Sequence, residues 1–338
     1  MVNFSSLIDL PLIWGIIIAF AILMYILLDG FDLGIGILFP FAPSDACRNK
    51  MMSSISPFWD GNETWLILGG NSLLAAFPVA YSIIMPAFYL PIIFMLLGLI
   101  LRGIAFEFRF KAVKSRIIWD YSFHFGSIIA AFFQGIILGS FIQGINVENQ
   151  AFVGGSFDWL NAFSITTAIA LLFGYCLLGA TWLIMKTDGQ TQKWARQYAT
   201  YLLVYVAFFI ALVSLWAPFL NNQIYDRWFS FPSFFYLLPT ALSSILIIAF
   251  LFRVIHKKKE KIPFLFAILL FLCCYLGLAI TIWPFVVPYQ LSVWQASAAS
   301  TSQSLLLIGV VIFMPIILIY TGYSYYVFRG KSSEELGY

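Results

Sequence analysis

The sequence predicts an all-α polytopic membrane protein with nine transmembrane helices. Three observations carry this prediction. First, 62% of the 338 residues are apolar and only 10% are charged, with a mean hydropathy of +0.94. A soluble domain carries about 25% charged residues, so this chain has too little charge to coat a water-facing surface. Second, the apolar residues form nine continuous runs, each able to cross a hydrocarbon layer that needs about 20 residues. Third, the basic residues cluster after alternate runs. The runs do not alternate with period two, which argues against a β-barrel. High apolar content and sparse Gly and Pro exclude disorder and collagen-like repeats. The net charge of +3, with no long basic face, argues against a nucleic-acid partner.

The runs cover residues 11–39, 59–83, 86–108, 120–146, 160–185, 198–220, 232–253, 263–286 and 302–328. Arg48 and Lys50 follow span one. Arg109, Lys111, Lys114 and Arg116 follow span three. Lys186, Lys193 and Arg196 follow span five. Arg253, Lys257, Lys258, Lys259 and Lys261 follow span seven, and Arg329 and Lys331 follow span nine. That places 16 of the 18 basic residues on one side. Arg227 falls in an opposite loop, and Arg102 lies inside span three. Positive charge stays cytoplasmic, so the N-terminus is expected outside and the C-terminus inside. The first run is long enough to span and lacks a basic leader, so it reads as a helix rather than a signal peptide.

Linkers are short, so residues 1–338 are expected to form one transmembrane domain. Loop charge divides it into a first four-helix unit over 1–146, a second over 147–286, and a ninth helix over 302–328. Gly30–Gly34 and Gly135–Gly139 have the small-x-x-x-small spacing that lets helices approach closely. Cys47, Cys176, Cys273 and Cys274 show neither metal-ligand nor disulfide-framework spacing.

Charges inside the spans need a reason, since one at mid-membrane costs about 2.5–3.5 kcal/mol on insertion scales. Asp29 and Asp32 stand at i, i+3, on one helix face. Asp60 and Glu63 repeat that spacing at the start of span two. Arg102 and Glu107 close span three, and Asp120 and His124 open span four. The predicted topology brings all eight residues to the cytoplasmic ends of four consecutive helices. Spans five to nine carry no comparable set. Carboxyl groups and an imidazole with water between them can pass protons, and Arg102 is placed to pair with the acids. The competing explanation is helix capping and mutual pairing near the interface, with Asp60 and Asp120 favoured by helix dipoles. His256 lies in a basic loop and His124 is the one histidine in a span, so this chain alone does not supply two axial imidazoles to a haem. No non-haem metal cluster, phosphate loop or nucleophilic triad is evident. Trp14, Trp228 and Trp294 read as interface anchors.

The runs Leu28-Asp29-Gly30-Phe31-Asp32-Leu33-Gly34-Ile35-Gly36 and Trp59-Asp60-Gly61-Asn62-Glu63-Thr64-Trp65-Leu66 then acquire a specific meaning. With Leu101-Arg102-Gly103-Ile104-Ala105-Phe106-Glu107-Phe108-Arg109 and the terminal Pro315–Thr321, the chain resembles subunit II of cytochrome bd ubiquinol or menaquinol oxidases. The resemblance covers nearly the whole sequence, and its Trp59, Gly61 and Asn62 element is the most specific part. It implies a bacterial cytoplasmic-membrane terminal oxidase that oxidises quinol and reduces O₂ to water. It implies a homologous subunit I as partner, carrying the b-type and d-type haems, beside a haem-free subunit II. It also implies that Asp60 leads a proton pathway with Asp29, Asp32 and Glu63, supported by Arg102 and Glu107. A small single-helix accessory subunit and a membrane lipid or quinone are further candidate partners. Proton-coupled secondary transport is the alternative that intramembrane carboxylates raise; confinement of the acids to one half disfavours it. A purely structural subunit is the third.

Overall fold

A computed structural model describes residues 9–112 and 114–332. The terminal residues 1–8 and 333–338, whose sides of the membrane the charge pattern predicts, lie outside the described residues. The helices are α1 (Leu10–Leu38), α2 (Asp45–Ser53), α3 (Trp59–Ala76), α4 (Pro78–Ala87), α5 (Tyr89–Arg109) and α6 (Arg116–Gln143). They continue with α7 (Ala162–Lys186), α8 (Gly189–Trp216), α9 (Asn222–Phe229), α10 (Ser233–His256), α11 (Ile262–Ile282) and α12 (Ser300–Val327). Two antiparallel ribbons lie in connections between helices: β1 (Val147–Glu148) with β2 (Ala151–Phe152) between α6 and α7, and β3 (Phe285–Val287) with β4 (Leu291–Ser292) between α11 and α12.

Among the described residues, eight helices are long and apolar enough to cross a membrane: α1, α5, α6, α7, α8, α10, α11 and α12. They correspond to eight of the predicted runs within a few residues, except that α8 starts at Gly189 rather than 198. The second predicted run departs from expectation. Residues 59–83 are not one helix, because the chain breaks at Phe77 (φ −132°, ψ 63°) and α4 begins at Pro78. Proline has no N–H to continue the helical ladder and drives the preceding residue out of the α region. The break frees the Ala76 carbonyl, which accepts instead from Ala298 N at 2.9 Å and Gln303 Nε2 at 3.0 Å. A pair of residues leading into α12 therefore completes the end of α3. The predicted gap between runs two and three, residues 84 and 85, falls inside α4, and the observed boundary is Phe88.

Helix ends follow ordinary capping chemistry. Asp9 accepts from Leu12 N, Ser44 from Cys47 N, and Asn161 forms a reciprocal capping box with Ser164. α1 is the central element. It packs on α3, α6 and α7, while α5 packs on α6, α8 on α7, and α10 on α11. Both predicted glycine pairs lie at the tightest crossings. A Cβ on Gly34 would fall 1.8 Å from the Tyr175 carbonyl oxygen, so α1 and α7 are in backbone contact there. Gly135 presses on Ala168 in the same way, and Gly30 and Gly139 flank these crossings. The C-terminal third of α1, from Asp29 to Leu38, is buried on every face. By contrast, the apolar stretch of α12 is unburied along its length, and the helix is held mainly at its ends.

Candidate functional site: a buried charge network on helices α1, α3 and α5

α1 presents Tyr25, Asp29 and Asp32 at i, i+4 and i+7, all buried. α5 presents Arg102 opposite them, with no solvent exposure. The Arg102 guanidinium is shared. Nη1 donates to Asp29 Oδ1 at 2.5 Å and Nη2 donates to Glu63 Oε2 at 2.7 Å. Asp32 is held separately: Asn62 Nδ2 donates to Asp32 Oδ2 at 2.8 Å and to the Leu28 carbonyl at 3.2 Å. The Asn62 amide orientation is fixed from its other side, because Tyr325 Oη of α12 donates to Asn62 Oδ1 at 3.0 Å. Tyr325 also stacks on Phe58 with ring centroids 4.3 Å apart. Three carboxyl groups thus face one guanidinium. Asp29 Oδ2, Asp32 Oδ1 and Arg102 Nε are buried with no hydrogen-bond partner among the described residues. Such atoms are costly to bury dry, and water would satisfy all three.

The network reaches the protein surface along α3. Asp60 is exposed in the first turn, where the helix dipole favours an acid, and has no hydrogen bond or ion pair among the described residues. Glu63, one turn further, has 28% of its side chain exposed, whereas Asp29 is wholly enclosed. Trp59 stacks on Phe106 of α5 at 4.7 Å and fixes the start of α3 against α5. Gly61 is exposed, and its carbonyl accepts from Thr64 Oγ1 at 2.6 Å; nothing nearby requires a glycine.

The other predicted residues do not join this network. Glu107 is 68% exposed and pairs weakly with Lys111 at 3.9 Å, on the side of α5 away from Arg102. Asp120 belongs to a second cluster nearer the helix ends. Arg109 Nε donates to Asp120 Oδ1, Arg48 Nη1 reaches Asp120 Oδ2 at 3.4 Å, and Arg109 and Arg116 both donate to Asn49 Oδ1. His124 is half-buried with Nδ1 3.3 Å from the Gly36 carbonyl oxygen. Arg109, expected just beyond span three, instead closes α5 and is fully buried. A helical stripe could have revealed it. Arg102, Ala105, Phe106 and Arg109 stand at i, i+3, i+4 and i+7, and all four are buried. Lys186, also expected in a loop, is buried and donates to the carbonyls of Phe328 and Gly330, tying down the end of α12. No sequence pattern marks Tyr325, because its partner lies 263 positions away.

No group of three or more His, Cys, Asp or Glu residues among those described is placed to hold a metal ion. The two histidines lie on different helices, His124 on α6 and His256 at the end of α10. His124 faces the Gly36 carbonyl, and His256 is exposed with Nδ1 2.9 Å from its own helix's Phe252 carbonyl.

Comparison with known proteins agrees over the full length. The chain is 27% identical to the cytochrome bd-I ubiquinol oxidase subunit 2 of Escherichia coli strain K12, over 96% of each chain. It is 28% identical to the cytochrome bd ubiquinol oxidase subunit 2 of Bacillus subtilis strain 168, over 98% of each. Its fold matches a chain in the structure of bd oxidase from Geobacillus thermodenitrificans with a TM-score of 0.76 at 15% identity, covering 95% of this chain and 97% of that one. The family described as cytochrome bd terminal oxidase subunit II matches residues 10–328, and the chain belongs to that family.

Proposed function

We propose that this chain is the haem-free subunit II of a quinol:oxygen oxidoreductase and gives cytoplasmic protons a route toward its partner's oxygen-reducing haem. Reduction of O₂ to two waters consumes four protons and four electrons. The b- and d-type haems assigned to subunit I would carry the electrons from quinol. This chain's contribution is proton delivery and support of that partner.

The observation that carries the reading is the gradient of burial along one network. Asp60 is exposed, Glu63 is partly exposed, and Asp29 and Asp32 are enclosed around Arg102. Asp60 collects protons at the mouth. Glu63 passes them inward across the Arg102 guanidinium, and Asp29 and Asp32 hold them in the interior. Water at the three unpartnered buried atoms would bridge the carboxyl groups, which two helical turns alone do not. Arg102 keeps fixed positive charge beside the acids, so a proton can leave without an isolated carboxylate remaining. Asn62 orients Asp32. Asp120 and His124 are assigned to bracing the helix ends, and Glu107 to the exposed surface.

The topology we adopt has nine spans, with α3 and α4 together forming the second. The N-terminus is then outside and the C-terminus cytoplasmic, and two four-helix units stand beside a peripheral α12. Within the proposed units α1 packs on α3 and α6, and α7 on α8 and α11, while α1 and α6 also pack on α7 across the division. Secondary transport is not favoured. Of the buried charged residues, Asp29, Asp32, Arg102, Arg109 and Asp120 lie in the first unit and Lys186 alone in the second.

The test is Asp60→Asn and Asp29→Asn in the complex co-purified with subunit I. Both variants are expected to assemble and keep the b- and d-type haem bands. Oxygen consumption should fall by about tenfold or more for Asp29→Asn, in the range one positioned proton-transfer group contributes. It should fall less for Asp60→Asn, where exposed waters offer a bypass. Wild-type turnover in both variants would remove the proton-route role and leave a structural subunit.

A further inference from the structure

The second charge cluster has a composition that its own partners do not balance. Arg48, Arg109 and Arg116 converge on one carboxylate, Asp120, and one amide oxygen, Asn49 Oδ1. Asp45 adds a second carboxylate on Arg48, but its side chain is 68% exposed. Three cations against two anions leave one positive charge in excess. Hydrogen bonding is short on the same side. Arg48 Nε, Arg109 Nη2 and Arg116 Nε are all buried without an acceptor among the described residues. Arg109 is enclosed completely and backed by the Phe39 ring, 4.9 Å from its guanidinium carbon, so it has no route to bulk water. Arg48 and Arg116 are partly exposed, and the cluster is open through them.

Guanidinium groups with spare N–H donors match tetrahedral oxyanions, whose several oxygens accept forked bonds. What lies beside the cluster selects the carrier. From Arg116 onward, α6 presents Ile117 (63% exposed), Tyr121 (50%) and Phe125 (53%) at i, i+4 and i+8, an apolar stripe running from the cluster along the helix. A ligand with an anionic phosphate at one end and a hydrocarbon chain at the other would satisfy both features. We propose that Arg48 and Arg116, with the enclosed Arg109 adding positive charge behind them, bind the phosphate of an anionic phospholipid whose acyl chain lies along α6. The site's assignment to the cytoplasmic leaflet rests on the orientation proposed above; binding itself does not, and the assay below reads no side.

The experiment uses the complex with subunit I in mild detergent, supplied with phosphatidylglycerol or phosphatidylcholine micelles and examined by native mass spectrometry. The comparison is with a variant carrying Arg48→Gln and Arg116→Gln, which leaves the Arg109–Asp120 pair in place. The wild type is expected to retain one more phosphatidylglycerol than the variant, with equal retention of phosphatidylcholine. Should the double variant lose its haem spectrum, Arg116→Gln alone makes the same comparison. Millimolar inorganic phosphate is the competing arm. Displacement of the extra lipid only by other anionic lipid supports the membrane source. Saturable, arginine-dependent binding of inorganic phosphate with no lipid difference would overturn the lipid assignment in favour of a free anion. Equal phosphatidylglycerol retention with no phosphate effect would overturn the site altogether.

Discussion

Arg102 and Arg109 stand on the same face of α5, two turns and about 10.5 Å apart along the axis. Both are fully buried, and both bond an aspartate. Their surroundings have opposite sign. Arg102 bonds Asp29 and Glu63, and Asp32 is held nearby by Asn62, so acceptor oxygens exceed fixed cations. Arg109 shares Asp120 with Arg48 and Asn49 with Arg116, so donors exceed acceptors. The same residue on the same helix thus sits in one place rich in acceptors and in another rich in donors. The surplus around the pair separates the two, and the pair itself does not.

The largest effect expected from this difference is at Arg102. Arg102→Leu leaves Asp29 and Glu63 with no cation, and removing one partner of a buried ion pair costs about 3–5 kcal/mol. That is a large share of a typical folding stability of about 5–15 kcal/mol. The variant should yield little haem-containing complex. Arg109→Leu should be milder, because Asp120 keeps Arg48 and is 12% exposed. Yields of spectrally intact oxidase give the order directly. An Arg109 variant as poor as the Arg102 variant would break the comparison.

The contrast was half legible in the sequence. Charges inside apolar runs identify themselves by their cost, so Asp29, Asp32, Glu63 and Arg102 stand out, and the structure ties Asp29 and Glu63 to Arg102 and holds Asp32 beside them on Asn62. The direction in which each charge points was not legible. Glu107 lies about 7.5 Å further along α5 than Arg102, turned to the opposite side of the helix and facing outward. Arg109 was hidden by its position at a span end, where a basic residue is ordinarily solvated; only the stripe it shares with Arg102 betrays it. The break at Phe77 was signalled by Pro78 but masked by the unbroken apolar run around it. Tyr325 and Lys186 depend on how α12 returns to the bundle, and no local pattern carries that information.

A finer test asks how far the acid-rich side depends on α12. Tyr325→Phe removes only the hydroxyl that donates to Asn62 Oδ1, leaving the stacking on Phe58 intact. Asn62 can then turn, and Asp32 loses a fixed donor. One hydrogen bond contributes about 0.5–1.5 kcal/mol, and about 1.4 kcal/mol is a factor of ten in rate. The complex should assemble normally, with turnover lowered by up to about tenfold and its pH profile displaced. Arg109 and its partners do not touch Tyr325, so anionic-lipid retention should be unchanged. An unshifted pH profile at full turnover would mean that α12 only packs against the network.

The smallest effect is expected where α12 ends, in a set of exposed pairs that resemble neither cluster. Lys331 Nζ donates to Glu260 Oε2 at 2.9 Å and to the Thr187 carbonyl at 2.8 Å, and Lys50 Nζ donates to Asp188 Oδ1 at 2.9 Å. Lys50 holds the Asp188 carboxyl below its ordinary range, and Lys331, with help from Gln192, does the same for Glu260. A carboxyl lowered on folding contributes stability above its unfolded value, about 3.9 for Asp and 4.3 for Glu. That contribution disappears as pH falls through the folded value. Asp188→Asn with Glu260→Gln should therefore lower the thermal midpoint of the complex slightly at pH 7. The difference should close as pH falls below the ordinary carboxylate range and shrink with added salt, because solvent and ions screen exposed pairs. The Arg102 variant should show no such rescue by salt, since its charges lie beyond the reach of counterions. A salt-insensitive loss in the double variant would mean that these pairs hold α12 through packing, and that the division between screened and buried charge does not extend to this end of the molecule.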